Sequence, residues 1–320
     1  MDDLLISAED DETMLQLKKE LEREFSQITF NDSVDFDYLG FRILRNDNND
    51  VIVSSESYVV ECLKEWVVKD TANTPANEDL MVINKDSSLL DEIKSKLFHS
   101  FVAKLLYVAR YIRMDIYVAV SFLSTRVSKP TEEDWSKLNR IFMYLNYKKD
   151  LCVKYVGGHE IVPAVFCDAS FGGETDYKSR TGIIAISAGS VISNVSRKQK
   201  MVTKSSAEAE LVAMNDGCSV AVCFRNLLME LIDYDGEILL FEDNKSAMIL
   251  ADKGRSMNFR TKHINIQYYF IKQYVDWKMI NIEYCPTDLM LADGMTKPLT
   301  GKRFVTFITE LLWDREKNNL

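Results

Sequence analysis

Two kinds of hydrophobic spacing divide the chain. Up to about residue 157 most apolar positions recur every three to four residues; beyond it, short apolar runs alternate with turn residues. Met14, Leu17, Leu21 and Phe25 mark the buried face of a first helix, opened by Ser7 facing Asp10 at capping-box spacing, with strand-like Leu4-Leu5-Ile6 before it. Residues 36–45 and 51–55 read as strands around the turn-rich Asp47-Asn48-Asn49-Asp50, and helix resumes at 58–68. Residues 70–86, with Thr74-Pro75, are polar and read as a loop. From 89 to 147 the pattern is helical and broken at Lys129-Pro130, after which Thr131 caps a helix carrying Trp135, Leu138, Ile141, Phe142 and Leu145.

Gly157-Gly158 marks a boundary. Runs at 161–171, 181–187 and 191–196 are separated by Gly172-Gly173 and by Ala188-Gly189-Ser190, which predicts an antiparallel meander. Ser205-Ser206 opens a helix to about residue 232, Asp235-Gly236 turns the chain, and a strand at 238–241 precedes a short helix at 245–251. A longer helix at 262–277 and a strand at 280–284 follow, and Pro286-Thr287-Asp288 leads into a last helix. Three antiparallel strands followed by alternating helices and strands predict an α/β (mixed α+β) fold, a five-stranded mixed sheet with helices on its faces.

Composition narrows the field of functions. The 320 residues carry a net charge of −10, but the acidity sits in the first hundred residues. Between residues 176 and 204 Asp176 is the only acid, against Lys178, Arg180, Arg197, Lys198, Lys200 and Lys204, a stripe suited either to phosphate contact or to a solvated face. Six scattered cysteines without a C-x-x-C pair and three separated histidines argue against a zinc site or a disulfide framework, and for free thiols in a reducing compartment. The most apolar region, 101–125, is interrupted by Lys104, Arg110, Arg113 and Asp115, so no membrane association is expected and the chain should be soluble and intracellular.

Four acids stand in apolar settings: Asp168 closing the first strand of the second half, Glu208 or Glu210 on the helix after it, Asp243 closing the fourth strand, and Asp293 on the last helix. Strand ends and flanking helices can meet in a mixed sheet, and carboxylates brought together repel unless a cation lies between them. An all-oxygen set selects Mg²⁺ or Mn²⁺, and two such ions support phosphodiester hydrolysis. Glu208 and Glu210 both flank the helix's apolar face, so periodicity does not choose between them.

These residues sit in longer motifs: Cys167-Asp168-Ala169-Ser170, Lys198-Gln199-Lys200, the run from Ser205 to Leu211, Glu242-Asp243-Asn244-Lys245-Ser246-Ala247, Arg260-Thr261-Lys262-His263-Ile264, and Leu291-Ala292-Asp293-Gly294-Met295-Thr296-Lys297-Pro298-Leu299. In order and spacing they resemble the RNase H region of copia-type LTR retrotransposon Pol polyproteins. The resemblance implies an RNase H-like fold at 158–300 that cuts the RNA strand of an RNA/DNA hybrid, with two Mg²⁺ or Mn²⁺ ions on Asp168, Glu210, Asp243 and Asp293. It selects Glu210 over Glu208, and suggests Lys198, Lys200, Lys204, Lys262 and His263 as nucleic-acid contacts. Met1-Asp2-Asp3-Leu4-Leu5-Ile6 is similar to the tail of the reverse transcriptase motif Tyr-x-Asp-Asp, with Tyr38-Leu39-Gly40-Phe41 and Leu105-Leu106-Tyr107-Val108 similar to segments that follow it. Residues 1–157 would then be the C-terminal part of a reverse transcriptase, an incomplete palm with a helix-rich thumb and connection, and Asp2 and Asp3 relics of a site whose remainder lies upstream. Polymerase activity is not expected of this chain alone. Residues 301–320 would form a tail helix.

Implied partners are the hybrid and the rest of the polyprotein, upstream reverse transcriptase and integrase. The implied location is the host cytoplasm, including virus-like particles, with access to the nucleus. Arg113-Met114-Asp115 stands where the family usually has a proline, Asp288-Leu289-Met290 replaces polar residues, and residues 281–292 lack the histidine that some RNases H carry before the final Asp. The alternative is a remnant that binds nucleic acid without cutting it; a nuclease of the same fold acting on DNA is a third reading.

Overall fold

The computed structural model describes residues 3–8, 10–25, 28–253 and 262–315, with the side chains of 252, 253 and 262–265 left out. The first part runs α1 (Asp11–Glu24), β1 (Asp35–Tyr38), β2 (Phe41–Arg45), β3 (Val51–Ser54), α2 (Glu56–Glu65), α3 (Glu92–Tyr111), α4 (Tyr117–Ser124), α5 (Glu132–Tyr147) and β4 (Leu151–Tyr155). The second runs β5 (Ala164–Ser170), β6 (Arg180–Ser187), β7 (Ser190–Lys198), α6 (Ser206–Ile232), β8 (Ile238–Glu242), α7 (Lys245–Lys253), α8 (Lys262–Asp276), β9 (Ile280–Tyr284), α9 (Asp293–Thr296), α10 (Gly301–Leu311) and β10 (Trp313–Asp314).

Two five-stranded sheets result, ordered β1-β2-β3-β4-β10 and β7-β6-β5-β8-β9. The first is antiparallel throughout. In the second, β5, β6 and β7 form the predicted meander, while β8 and β9 run parallel to β5. Those parallel pairings require crossovers, which α6, α7 and α8 supply. Helix α6 lies on β5 and β6, where Val165, Cys167, Ile183 and Ala185 meet Leu211, Met214 and Cys218 in one apolar core.

A second, larger core belongs to both parts. Phe98, Phe101, Leu105, Phe122, Leu138 and Phe142 of the helices pack with Ile184, Val191 and Met295 of the second part, and with Phe304, Phe307 and Leu311 of α10. Buried polar bridges cross the same seam. Arg180, ion-paired to Glu174 at 2.6 Å, donates to Ser121 Oγ; Ser121 Oγ donates to the Ser196 carbonyl, and Ser196 Oγ to that of Met295.

Several local expectations change. Asp10, not Ser7, caps α1 by accepting from the Thr13 amide, because helical geometry begins at Asp11, and Leu4 to Ile6 form no strand. Residues 36–45 are two strands, since Leu39 and Gly40 both adopt positive φ (51° and 79°), the backbone of a tight hairpin turn. Asp293 sits on a helix of only 4 residues, and neither β4 nor β10 was anticipated. Arg113 and Asp115, at the position unusual for the family, form a buried 2.7 Å pair whose carboxylate also accepts from the Tyr144 hydroxyl.

Candidate active site

Asp168 lies in β5, and the β5–β8 register, Phe166 opposite Phe241, carries on to set it beside Asp243 just past the end of β8. Glu210 comes down from the first turns of α6, which can approach the sheet closely because Ala169, Ala209 and Ala213 meet there and because Gly217 has no side chain to strike Cys167. The result is a cluster in which oxygens of Asp168, Glu210 and Asp243 all lie within 4.8 Å of one another. Glu208, two residues earlier on the helix, instead accepts from the Lys204 amide at 2.7 Å.

The cluster is electrostatically costly as a bare set of anions. Burial, then the charge of Asp293, pushes Asp168 up to about 6. Burial, then the charges of Glu242, Asp168 and Asp243, pushes Glu210 up to about 10. Glu210 Oε2 is buried and has no hydrogen-bond partner, an unmet acceptor. Such a group is stabilised by a hard cation or by a proton, and three carboxylates match the oxygen donors that Mg²⁺ and Mn²⁺ take. The residues present therefore fit divalent ions.

Supporting groups orient these acids. The Thr296 hydroxyl donates to Asp168 Oδ2, and the Thr287 hydroxyl to Asp243 Oδ2 at 2.8 Å. Gly182 faces Asp168 across the β5–β6 ladder, and its missing side chain lets α9 press onto the sheet: a Cβ there would lie 2.7 Å from the Ala292 carbonyl. Glu242 is fully buried behind the cluster, pushed up to about 8 by burial, with its oxygens accepting from the Asn244 amide and the Cys167 thiol. Sequence reasoning passed over Glu242, although the period of two that buries Ile238 and Leu240 also turns Glu242 inward.

Asp293 is buried near enough for its charge to act on Asp168, but it is not one of the three convergent acids. Its carboxylate is held by Lys297, one helical turn on, at 2.6 Å and by Arg303 of α10, and the second contact has no sequence spacing to announce it. Of the basic candidates, Lys198 pairs with Asp176 at 2.9 Å, while Lys200 and Lys204 are exposed. Lys262 and His263 open α8, with their side chains outside the described set. Asp2 lies outside the described residues, and Asp3 is exposed without regular structure.

Strand order and crossover helices define a mixed α/β protein with a carboxylate cluster astride the ends of β5 and β8. Over nearly its whole length the chain is similar in sequence to retrovirus-related Pol polyproteins from plant transposons. It is 28% identical over 312 residues to the retrovirus-related Pol polyprotein from transposon TNT 1-94 of Nicotiana tabacum, covering 95% of this chain and 23% of that protein. It is 29% identical over 313 residues to that of transposon RE2 from Arabidopsis thaliana, covering 96% and 21%. The chain thus spans about a quarter or less of the length of these relatives. Among solved structures, the N-terminal RNase H domain of a Mycobacterium tuberculosis protein, fused to maltose-binding protein, matches 43% of this chain and 91% of its own at 14% identity and a TM-score of 0.31. No protein-family model matches the chain. Among the described residues no helix is long and apolar enough to cross a membrane.

Proposed function

We propose that residues 158–300 are a metal-dependent RNase H domain that hydrolyses the RNA strand of RNA/DNA hybrids within a retrotransposon reverse transcriptase/RNase H. Residues 1–157 are then the C-terminal part of the reverse transcriptase and 301–320 the tail, working beside the other domains of a Pol polyprotein in the host cytoplasm. The observation that carries this reading is the convergence of Asp168, Glu210 and Asp243 within 4.8 Å, with a buried Glu210 oxygen left unpartnered.

Asp168, Glu210 and Asp243 would hold two Mg²⁺ or Mn²⁺ ions, with Asp293 as the fourth carboxylate. The chemistry such ions supply is activation of a water and neutralisation of charge at the scissile phosphate. The protein's own part is to fix the acids: Thr296 orients Asp168, Thr287 orients Asp243, and the rigid β5–β8 pair holds both at one edge. Lys198, Lys200, Lys204, Lys262 and His263 would contact backbone phosphates, and hybrid geometry would be read through the minor groove and the 2′-hydroxyl. Hydrolysis would leave a 3′-hydroxyl and a 5′-phosphate.

The test offers labelled RNA/DNA hybrid, DNA duplex and RNA duplex to the full chain in Mg²⁺. Cutting confined to the RNA strand of the hybrid is expected. Cutting of DNA duplex at an equal rate would replace this reading with a DNA nuclease, and binding without any cutting would replace it with a lapsed remnant.

A further inference from the structure

Asp293 differs from the three convergent acids in the company it keeps. Lys297 lies 2.6 Å from Oδ1, and Arg303 binds Oδ2, so both oxygens of this carboxylate face a cation. The two partners of the Arg303 pair are unequally placed. The carboxylate is 4% exposed and confined, whereas the guanidinium side chain is 55% exposed and can pass into water. Asp293 is therefore fixed, and Arg303 is the partner free to leave.

Arg303 also belongs to a different structural unit from the acid it holds. Its helix α10 is anchored by Phe304, Phe307 and Leu311 in the core shared with the first part of the chain, and by Thr300 donating to Glu78. The Phe307 ring presses on Gly294, where a Cβ would fall 2.4 Å from it, so α10 sits hard against the turn that carries Asp293. The stem of Arg303 thus starts from a fixed place while its head remains exchangeable.

We propose that Arg303 competes with a divalent cation for Asp293, and so acts as a positioning residue that sets how readily the fourth carboxylate joins the other three. This rests on the reading that the carboxylate cluster holds metal. An ion drawing on Asp293 is opposed by the guanidinium, because both are cations drawn to the one carboxylate and they repel one another. Packing of α10 on the first part of the chain thereby reaches the metal site through one side chain.

Mn²⁺ titration of the full chain, followed by calorimetry and by electron paramagnetic resonance, tests this in wild type, Arg303→Gln, Arg303→Met and the double variant Asp293→Asn/Arg303→Gln. Loss of a half-exposed ion pair should tighten the weaker of the two ions by about fivefold in either single variant. The stronger ion should be unchanged, and the gain should vanish in the double variant. Unchanged or weaker affinity in folded single variants overturns the proposal, as does loss of folding in both, which would make Arg303 a structural residue. A wild-type chain that binds no Mn²⁺ instead overturns the metal reading itself, whereas two ions indifferent to Arg303 overturn only its competing role.

Discussion

Glu210 and Asp168 are carboxyl groups that the fold makes harder to ionise. Their ordinary values are 4.5 and 3.8, and burial among like charges moves them up to about 10 and about 6. Between those limits the folded state binds more protons than the unfolded chain, so their contribution to stability is fully present only below the ordinary values of 3.8 and 4.5 and is lost as pH rises through the folded values. In metal-free buffer the Tm should therefore fall between pH 5 and pH 9, and saturating Mg²⁺ should reduce that fall by binding the ionised cluster. Glu210→Gln should lose much of the slope, and at pH 8 without metal should exceed wild type by about 1–3 kcal/mol, because Gln is neutral without the proton that Glu210 must take up on folding. Thermal melts across the pH range check both, and a Glu210→Gln variant with the wild-type slope would contradict them. The identities of these acids were legible because each interrupts an apolar run; the choice of Glu210 over Glu208 was not. It depends on how α6 rotates over β5, which small residues at 169, 209 and 213 decide at a distance in sequence.

At the level of elements, the meander, the long α6 and the two parallel strands were readable from period and turn residues. The short α9 was not, for it makes one turn and owes its place to β6 and α10 rather than to its own four residues. Gly182 is the hinge of that arrangement, since a Cβ would meet Ala292, Met295 and Thr296 at 2.7 to 2.8 Å. Gly182→Ala should cost about 1–3 kcal/mol by overpacking. It should also lift Thr296 from Asp168, lowering hybrid cleavage more than hybrid binding. Denaturant melts together with kcat and KM separate these effects, and a fully active, fully stable Gly182→Ala would contradict the packing described. The hairpin at Leu39-Gly40 was missed for a related reason: a non-glycine residue at positive φ leaves little trace in a hydrophobic pattern.

On the scale of the whole molecule, the C-terminal segment is joined back to the first part of the chain. Strand β10 pairs with β4, Lys148 binds Asp314 at 2.9 Å, and α10 buries Phe304 and Phe307 among residues of α3 to α5. A two-residue strand pairing across more than 150 positions has no local signature, which is why the tail reads in sequence only as a helix. Phe307→Ala should cost about 3–5 kcal/mol and weaken both parts together, seen as a single unfolding transition by far-UV and by aromatic signals. Two separated transitions would show that the shared core does not couple them. The chain's net charge of −10 comes from its first hundred residues, and within the basic stripe Arg180 is buried against Glu174 while Arg197 pairs with Asp216 and Lys198 with Asp176, which leaves Lys200 and Lys204, just past β7, as the exposed cations best placed for phosphate contact.

The activity we propose for this carboxylate cluster is cleavage of RNA in a hybrid. Cleavage of a labelled RNA/DNA hybrid in Mg²⁺ by the full chain, beside Asp168→Asn, Glu210→Gln and Asp243→Asn, tests it most directly. The expected result is RNA-strand cleavage by wild type and a loss of about a hundredfold or more in each folded variant. Wild-type rates in folded Asp168→Asn and Asp243→Asn would contradict it.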